Sequence, residues 1–347
     1  MMQMNNWLAV CCKKAIAAPM AGVSNRVFRD ICRARGAAVA YGEMVSVSAL
    51  HYDNRRTLEL LDIALEEQPR VVQLSGSRVD YMEEAAVQVA ALGADSIDLN
   101  MGCPVSKVVR NGEGAALMCE PKLAQELVRA ACRGGVPVSV KFRMGWDDSS
   151  VNAVEFAQRM EEAGAAWIAI HGRTRMQMYQ GKADWQIIAA VKQAVSLPVL
   201  GNGDVTDGCS AVLMRKQTGC DGVMVGRGML GNPWLFGDIA RALQGMPAVP
   251  KPSPTEIIAQ ALSHLERQCQ RSQYWACFRA GDDNPEIRAE GELAAVRAMR
   301  NQLNWYVKGL HNAAALRCAI NQMATEKAVR ELFAAYEKRE YPGGCAE

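Results

Sequence analysis

Short apolar runs separated by helical segments repeat along the first two thirds of the chain. Runs rich in strand formers occupy 15–20 (AIAAPM), 38–44 (AVAYGEM), 70–75 (RVVQLS) and 96–101 (SIDLNM). Four more follow at 136–142 (VPVSVKF), 167–171 (WIAIH), 198–202 (PVLGN) and 222–226 (GVMVG). Between most of them apolar residues recur at helical spacing, as over 81–92 and 152–163. Near-continuous apolar strands are those of a parallel sheet buried on both faces. Glycine followed by a small residue enters four strands, and Pro69, Pro137 and Pro198 enter three others. Glycine closing a helix and proline in the next loop punctuate such connections. Eight units in roughly 230 residues predict a (β/α)8 TIM barrel, which typically takes about 250. No G-x-G-x-x-G follows the first strand, which counts against a doubly wound dinucleotide fold.

After Phe236 the pattern changes. Residues 245–254 (GMPAVPKPSP) read as a linker, and from Thr255 onward the spacing is helical. A polar break falls at 281–285, and amphipathic helices are expected over 293–323 and 326–336. The expected organisation is a catalytic barrel over 1–245 followed by a small all-α helical domain over 255–340.

Composition adds exclusions. Half of the 347 residues are hydrophobic and 22% are charged, as in an ordinary soluble globular protein. The formal charge of +2 leaves any nucleic-acid surface to a local patch. No apolar run is long enough to span a bilayer. The opening MMQMNNWLAVCC lacks a positive n-region, which argues against a signal peptide and for a cytoplasmic protein. Twelve cysteines include no C-x-x-C pair, so the expectation is reduced thiols and no metal site.

In a barrel of this kind the active site lies at the C-terminal strand ends. Those ends carry Met20, Glu43, Gln73, Asn100 with Cys103, Lys141 with Arg143, His171 with Arg173, Asn202 with Asp204, and Gly226 with Arg227. Convergence of so many polar residues on one rim points to a ligand site. The glycines of 201–204 (GNGD) and 225–228 (VGRG) follow the seventh and eighth strands, the usual phosphate cradle. Lys141 can form a Schiff base or supply fixed positive charge. Cys103, taken alone, is either a packed thiol or placed chemistry. In the tail no Asp or Glu lies between Glu292 and Glu326, while Arg297, Arg300, Lys308 and Arg317 do, beside Trp305, Tyr306 and His311. Such a face is either simply solvated or the dock of a polyanion.

These residues resemble a known family. The segments 18–22 (APMAG), 42–44 (GEM), 72–76 (VQLSG), 98–104 (DLNMGCP), Lys141, 171–175 (HGRTR), 202–204 (NGD) and 225–227 (VGR) stand in the order of bacterial tRNA-dihydrouridine synthases, most like the B subgroup. Asn304-Trp305-Tyr306 extends the likeness into the tail. The resemblance implies an FMN-bound barrel that reduces the C5–C6 bond of specific uridines in tRNA, with NADPH (or NADH) as reductant. It implies that Pro19, Met20 and Ala21 line the flavin, that Gln73 and Lys141 contact its ring, and that His171 stands beside it. Asn202, Gly203, Asp204, Gly226 and Arg227 would hold its phosphate. Asn100 would orient the uracil with Arg173 nearby. C6 would take a hydride from the flavin and C5 a proton from Cys103 on the other face, an ordinary thiol being mostly protonated at neutral pH. Arg297 and Arg300 would grip tRNA in a monomeric protein with no metal and no membrane partner.

Other readings stay open beside this one. A small-molecule flavin reductase similar to dihydroorotate dehydrogenase would use the same barrel without needing the acid-poor tail. A Schiff-base aldolase would use Lys141, and an RNA-binding barrel that has lost catalysis would use none of the rim. The segment 271–290 is longer and more polar than the family leads one to expect.

Overall fold

A computed structural model describes residues 11–63 and 68–340; the N-terminal reading of residues 1–10 lies outside them. Each predicted run forms a strand. They are β1 (Ile16–Ala17), β2 (Val39–Ser46), β3 (Val71–Ser75), β4 (Ser96–Met101), β5 (Val138–Arg143), β6 (Trp167–His171), β7 (Val199–Asn202) and β8 (Gly222–Val225). All neighbours are parallel and β8 closes on β1, giving a barrel in sequence order. β2 runs two residues past its expected end, through a register shift between Tyr41 and Met44.

Helices cross between the strands as the right-handed β–α–β connection requires. They include α1 (Arg26–Ala34), α2 (Val79–Ala91), α3 (Pro121–Cys132), α4 (Ala153–Glu162), α5 (Trp185–Ala194) and α6 (Gly208–Thr218), and α7 (Leu235–Ala242) follows the last strand. A buried cluster holds Ile16, Val39, Tyr41, Val71, Trp167, Leu200 and Met224. Trp167 Nε1 donates to the Tyr41 hydroxyl at 2.9 Å within the core. Strand register then sets polar rows across the sheet. Gln73, Asp98 and Ser139 are partners across β3–β4–β5. Asn100 pairs with Lys141, and Arg143, His171 and Asn202 pair across β5–β6–β7.

The chain divides into two compact units, one taking the residues up to Met229 with Trp234–Val249, the other Leu230–Pro233 and everything from Pro250. The second unit is helical: α8 (Pro254–Ala280), α9 (Pro285–Tyr306), α10 (Ala313–Ile320) and α11 (Glu326–Glu340). Ser253 and Glu256 form a capping box at the start of α8, and left-handed Gly281 ends it. Asn284 caps α9, with Pro285 in its first turn. Gly291 does not break α9, because its bare backbone lies against α8: a Cβ there would stand 2.8 Å from Gln273 Cα. The helix expected over 293–323 instead stops at Tyr306. Gly309 (φ 96°) and Asn312 (φ 51°) turn the chain before α10 restarts. Within the same unit, a Cβ on Gly231 would run into the backbone of Trp305, which fixes the segment Leu230–Pro233 on α9. Among the described residues no helix is long and apolar enough to cross a membrane.

Candidate functional site

Cys103 is half-buried in the loop after β4, and its position is fixed from three sides. Asn100 Oδ1 accepts from the backbone N–H of Gly102 at 3.2 Å and of Cys103 at 2.9 Å. Arg143 Nε donates to the Gly102 carbonyl at 2.8 Å. The Cys103 carbonyl accepts from Ala115 N at 3.0 Å. Glycine is needed where backbones crowd: a Cβ on Gly102 would sit 3.3 Å from Phe142 Cα, and one on left-handed Gly114 would sit 2.7 Å from the Cys103 carbonyl oxygen.

Behind the loop runs a buried polar chain. Asn100 Nδ2 donates to Gln73 Oε1 at 2.9 Å, and Gln73 Nε2 donates to Asp98 at 2.6 Å. Ser139 Oγ donates to the other Asp98 oxygen at 2.6 Å. Asp98 is fully buried. Burial pushes its carboxyl up to about 6, against the pull of the Ser139 and Gln73 hydrogen bonds and of the Lys141 charge. Burial and the neighbouring Arg143 bring Lys141 down to about 8, so it stays mostly cationic at neutral pH.

His171 is buried, and burial with the charges of Lys141, Arg143, Arg173 and Arg227 holds its imidazolium well below the ordinary range. The ring is therefore neutral. Its Nε2 lies 3.2 Å from Arg173 Nη1. An arginine can only donate, so Nε2 is the acceptor and Nδ1 carries the hydrogen.

Arg143 and Arg173 are interior struts. Besides Gly102, Arg143 donates to the carbonyls of Thr174 and Met178 at 2.9 and 2.8 Å, joining the β4 and β6 loops. Arg173 is 1% exposed and donates to the carbonyls of Gln180 and Gly181 and to both Asp204 oxygens. Arg173, expected near the uracil, is thus held mainly by the protein's own oxygens and by His171.

The loops after β7 and β8 form a cradle. Gly203 (φ 125°) has no room for a side chain, since a Cβ would stand 2.6 Å from Ala183 Cβ and 3.1 Å from His171 Cδ2. Over Gly226 the space is open; a Cβ there would meet only Ala18 Cβ, at 4.0 Å. Asn202 Nδ2 donates to the Met224 carbonyl, tying the two strand ends together at 2.7 Å. The Asp204 carboxylate accepts from Ala183 N and reaches Arg227 at 3.4 Å. It is thus bound by cations, and only its backbone N–H is suited to an anion. Arg227 is exposed, stacks on Tyr179 at 4.9 Å and lies at the rim. The cradle thus offers open backbone at Gly226, left-handed turns and a cation, which fits a phosphate. Pro19 and Met20 are half-buried and Ala21 exposed beyond β1, where Ser24 Oγ and Glu43 fix the turn.

In the helical unit Arg297 is exposed. Arg300, expected beside it to grip tRNA, is half-buried, and its Nη2 donates to the Met323 carbonyl at 3.0 Å. Tyr306 is buried with its hydroxyl 3.3 Å from His264 Nδ1, and Asn304 Nδ2 donates to Asn321. Sequence reasoning missed Asp98 and Ser139, which sit inside apolar runs and gain meaning only from register. Among the described residues no three His, Cys, Asp or Glu side chains gather into a metal site.

Residues 16–281 match the family model described as "Dihydrouridine synthase (Dus)". The chain is similar to a probable tRNA-dihydrouridine synthase 1 of Synechocystis, 38% identical over 92% of this chain and 85% of that protein. It is also similar to the tRNA-dihydrouridine synthase B of Pseudomonas aeruginosa, 36% identical over 92% and 93%. A probable tRNA-dihydrouridine synthase of Rickettsia bellii is 37% identical over 91% and 92%.

Proposed function

The chain belongs to the dihydrouridine synthase family, a family of oxidoreductases, and from that premise we propose that it reduces the C5–C6 bond of uridines in tRNA with bound FMN and with NADPH or NADH as reductant. A cytoplasmic place of action goes with that substrate. The observation that carries the reading is the Cys103 loop, held by Asn100 and Arg143 on the rim that bears Lys141, His171 and the cradle.

FMN, when bound, supplies the hydride that C6 of the uracil receives. The backbone of Gly203, Asp204 and Gly226, with Arg227 and Asn202, binds its phosphate. Pro19, Met20 and Ala21 line its ring, Gln73 and His171 offer it N–H groups, and Lys141 gives fixed positive charge that steadies anionic character at the ring. Asn100 orients the uracil. Cys103 delivers its thiol proton to C5 as negative charge develops there, so the thiol serves as an acid and need not be an activated nucleophile. The uridine must leave its stack to reach this rim, and exposed cations of the tail such as Arg297 hold the RNA backbone.

The purified protein is expected to take up FMN, to show a flavin absorbance spectrum, and to form dihydrouridine in tRNA when NADPH is added. Failure to take up FMN overturns the reading, and reduction of a free pyrimidine in preference to tRNA favours the small-molecule reductase. Cys103→Ala is expected to keep flavin reduction by NADPH and to lose on the order of 10²–10⁴-fold in uridine reduction. Full activity of that variant on tRNA refutes the proton-donor role.

A further inference from the structure

We infer that Asp98 is a positioning residue: acting through Gln73, it fixes which way the Asn100 amide faces, so that Asn100 clamps the Cys103 loop with its oxygen and presents only N–H to a bound base. The three side chains form one directed chain. At one end stand two backbone N–H groups, of Gly102 and Cys103, which can only donate; Asn100 must turn Oδ1 to them. At the other end stands Asp98, whose ionised carboxylate can only accept; Gln73 must turn Nε2 to it. Between the ends Asn100 Nδ2 meets Gln73 Oε1 at 2.9 Å, the one pairing compatible with both constraints.

Both amides lie in or beside the barrel interior, where an amide facing the wrong way leaves donor against donor. Without an acceptor at position 98 Gln73 is held in this sense only by the bond from Asn100, and its own Nε2 loses the partner that opposes a reversal. Its reversal would turn Asn100 and set a side-chain N–H against the two backbone N–H groups that now fix Cys103. Asp98 is suited to the task by its burial and by Ser139, whose hydroxyl occupies its second oxygen at 2.6 Å and leaves the first for Gln73.

A consequence concerns the substrate and rests on the uridine reading above. Asn100 Oδ1 already accepts two bonds and Nδ2 already gives one, so one N–H is left. That hydrogen pairs with a ring carbonyl, as uracil offers at C4, and would meet the 4-amino group of cytosine donor to donor.

Hydrogen–deuterium exchange on the full chain, without tRNA, tests the clamp at the amides of Gly102 and Cys103. Asp98→Leu, which removes the acceptor, is expected to speed their exchange by roughly 10-fold while β4 itself stays protected. Gln73→Leu, which cuts the chain in the middle, is expected to do the same, and the double variant to exchange no faster than either single one. Asp98→Asn is expected to stay within about threefold of the parent, because Ser139 Oγ can accept the new N–H while the amide oxygen still faces Gln73. Unchanged exchange in Asp98→Leu, or loss of protection spread across β3–β5, overturns the inference. So does Asp98→Asn behaving like Asp98→Leu. If Asp98→Leu does not fold, Gln73→Leu against Asp98→Asn decides: fast and slow exchange respectively supports the clamp, and equal rates overturn it. Uridine reduction measured alongside is expected to fall about 10- to 100-fold in Asp98→Leu. Absence of uridine reduction in the parent protein would refute the uridine reading and leave the exchange result standing.

Discussion

Replacing Gly114 by alanine reaches Cys103 from the far side of its own loop. Gly114 is in the left-handed region at φ 59°, which costs an alanine roughly 1–2 kcal/mol. The new Cβ would stand 2.7 Å from the Cys103 carbonyl oxygen and 3.0 Å from Cys103 Cβ. To restore an ordinary contact the two backbones must part by about 0.7 Å. Their separation strains the bond from Ala115 N to that same carbonyl, now 3.0 Å, worth about 1 kcal/mol. Together these predict a loss of about 2–3 kcal/mol, which lowers the melting temperature of a barrel of this size by roughly 5–10 °C. The catalytic consequence is larger, since a misplacement near 1 Å can cost on the order of 10²-fold. Stopped-flow spectroscopy separates the two half-reactions: flavin reduction by NADPH should be unchanged, because the cradle lies after β7 and β8, while reoxidation by tRNA slows. A Gly114→Ala protein that melts within about 1 °C of the parent and reoxidises at the parent rate would refute the crowding argument.

Three further outcomes are expected. Gly203→Ala should weaken FMN binding, read by flavin fluorescence titration, because its Cβ collides with Ala183 and crowds His171; unaltered affinity would remove this loop from the cradle. Urea unfolding at pH 7.5 and 5.5 should report His171 and Asp98 with opposite signs. The folded His171 stays neutral while the unfolded imidazole protonates near pH 6.5, so its contribution to stability falls by roughly 1 kcal/mol or more as the pH drops over that range, and His171→Gln removes that loss and leaves the opposite Asp98 contribution. Folded Asp98 takes its proton near 6 while the unfolded carboxyl stays ionised, so stability rises by a little under about 1 kcal/mol, and Asp98→Asn steepens the net loss; parallel slopes in both variants would contradict these shifts. Arg297→Glu should weaken tRNA binding and reduce its salt dependence with no change in melting, whereas Arg300→Glu should destabilise the helical unit by orphaning the Met323 carbonyl. The same melting temperature for both would overturn the separation.

The barrel was legible because a strand buried on both faces must be apolar along its length, and because glycine and proline mark where each αβ loop turns. The rim was legible for a related reason: a polar residue that ends an apolar run has to face the mouth or water. Helix limits in the tail were less so. Gly291 is a packing contact with α8 inside α9, ahead of the expected helix start at 293, while Gly309 and Asn312 read as part of one helix and end it. The surroundings of Arg173 and Arg300 were not legible, for a single reason. Sequence displays a charge but not its partners, and both guanidinium groups also donate to the protein's own oxygens.

Register explains what no local pattern could reveal. Asp98 lies in a run that reads as core, and nothing adjacent to it in sequence marks it as more than a buried carboxyl. It acquires acceptors' work only because β3 and β5 bring Gln73 and Ser139 level with it. Sliding β4 by one residue would turn Asp98 and Asn100 together out of the barrel and replace them with Ile97 and Leu99, abolishing the clamp on Cys103. The apolar residues of β4 that face the helices therefore set the catalytic loop as surely as the polar ones that touch it: they hold the register on which the polar chain depends. Substitutions at Ile97 or Leu99 that leave the barrel folded but shift this pairing would be felt first at Cys103, before any loss of the cradle, because β7 and β8 carry their own pairing.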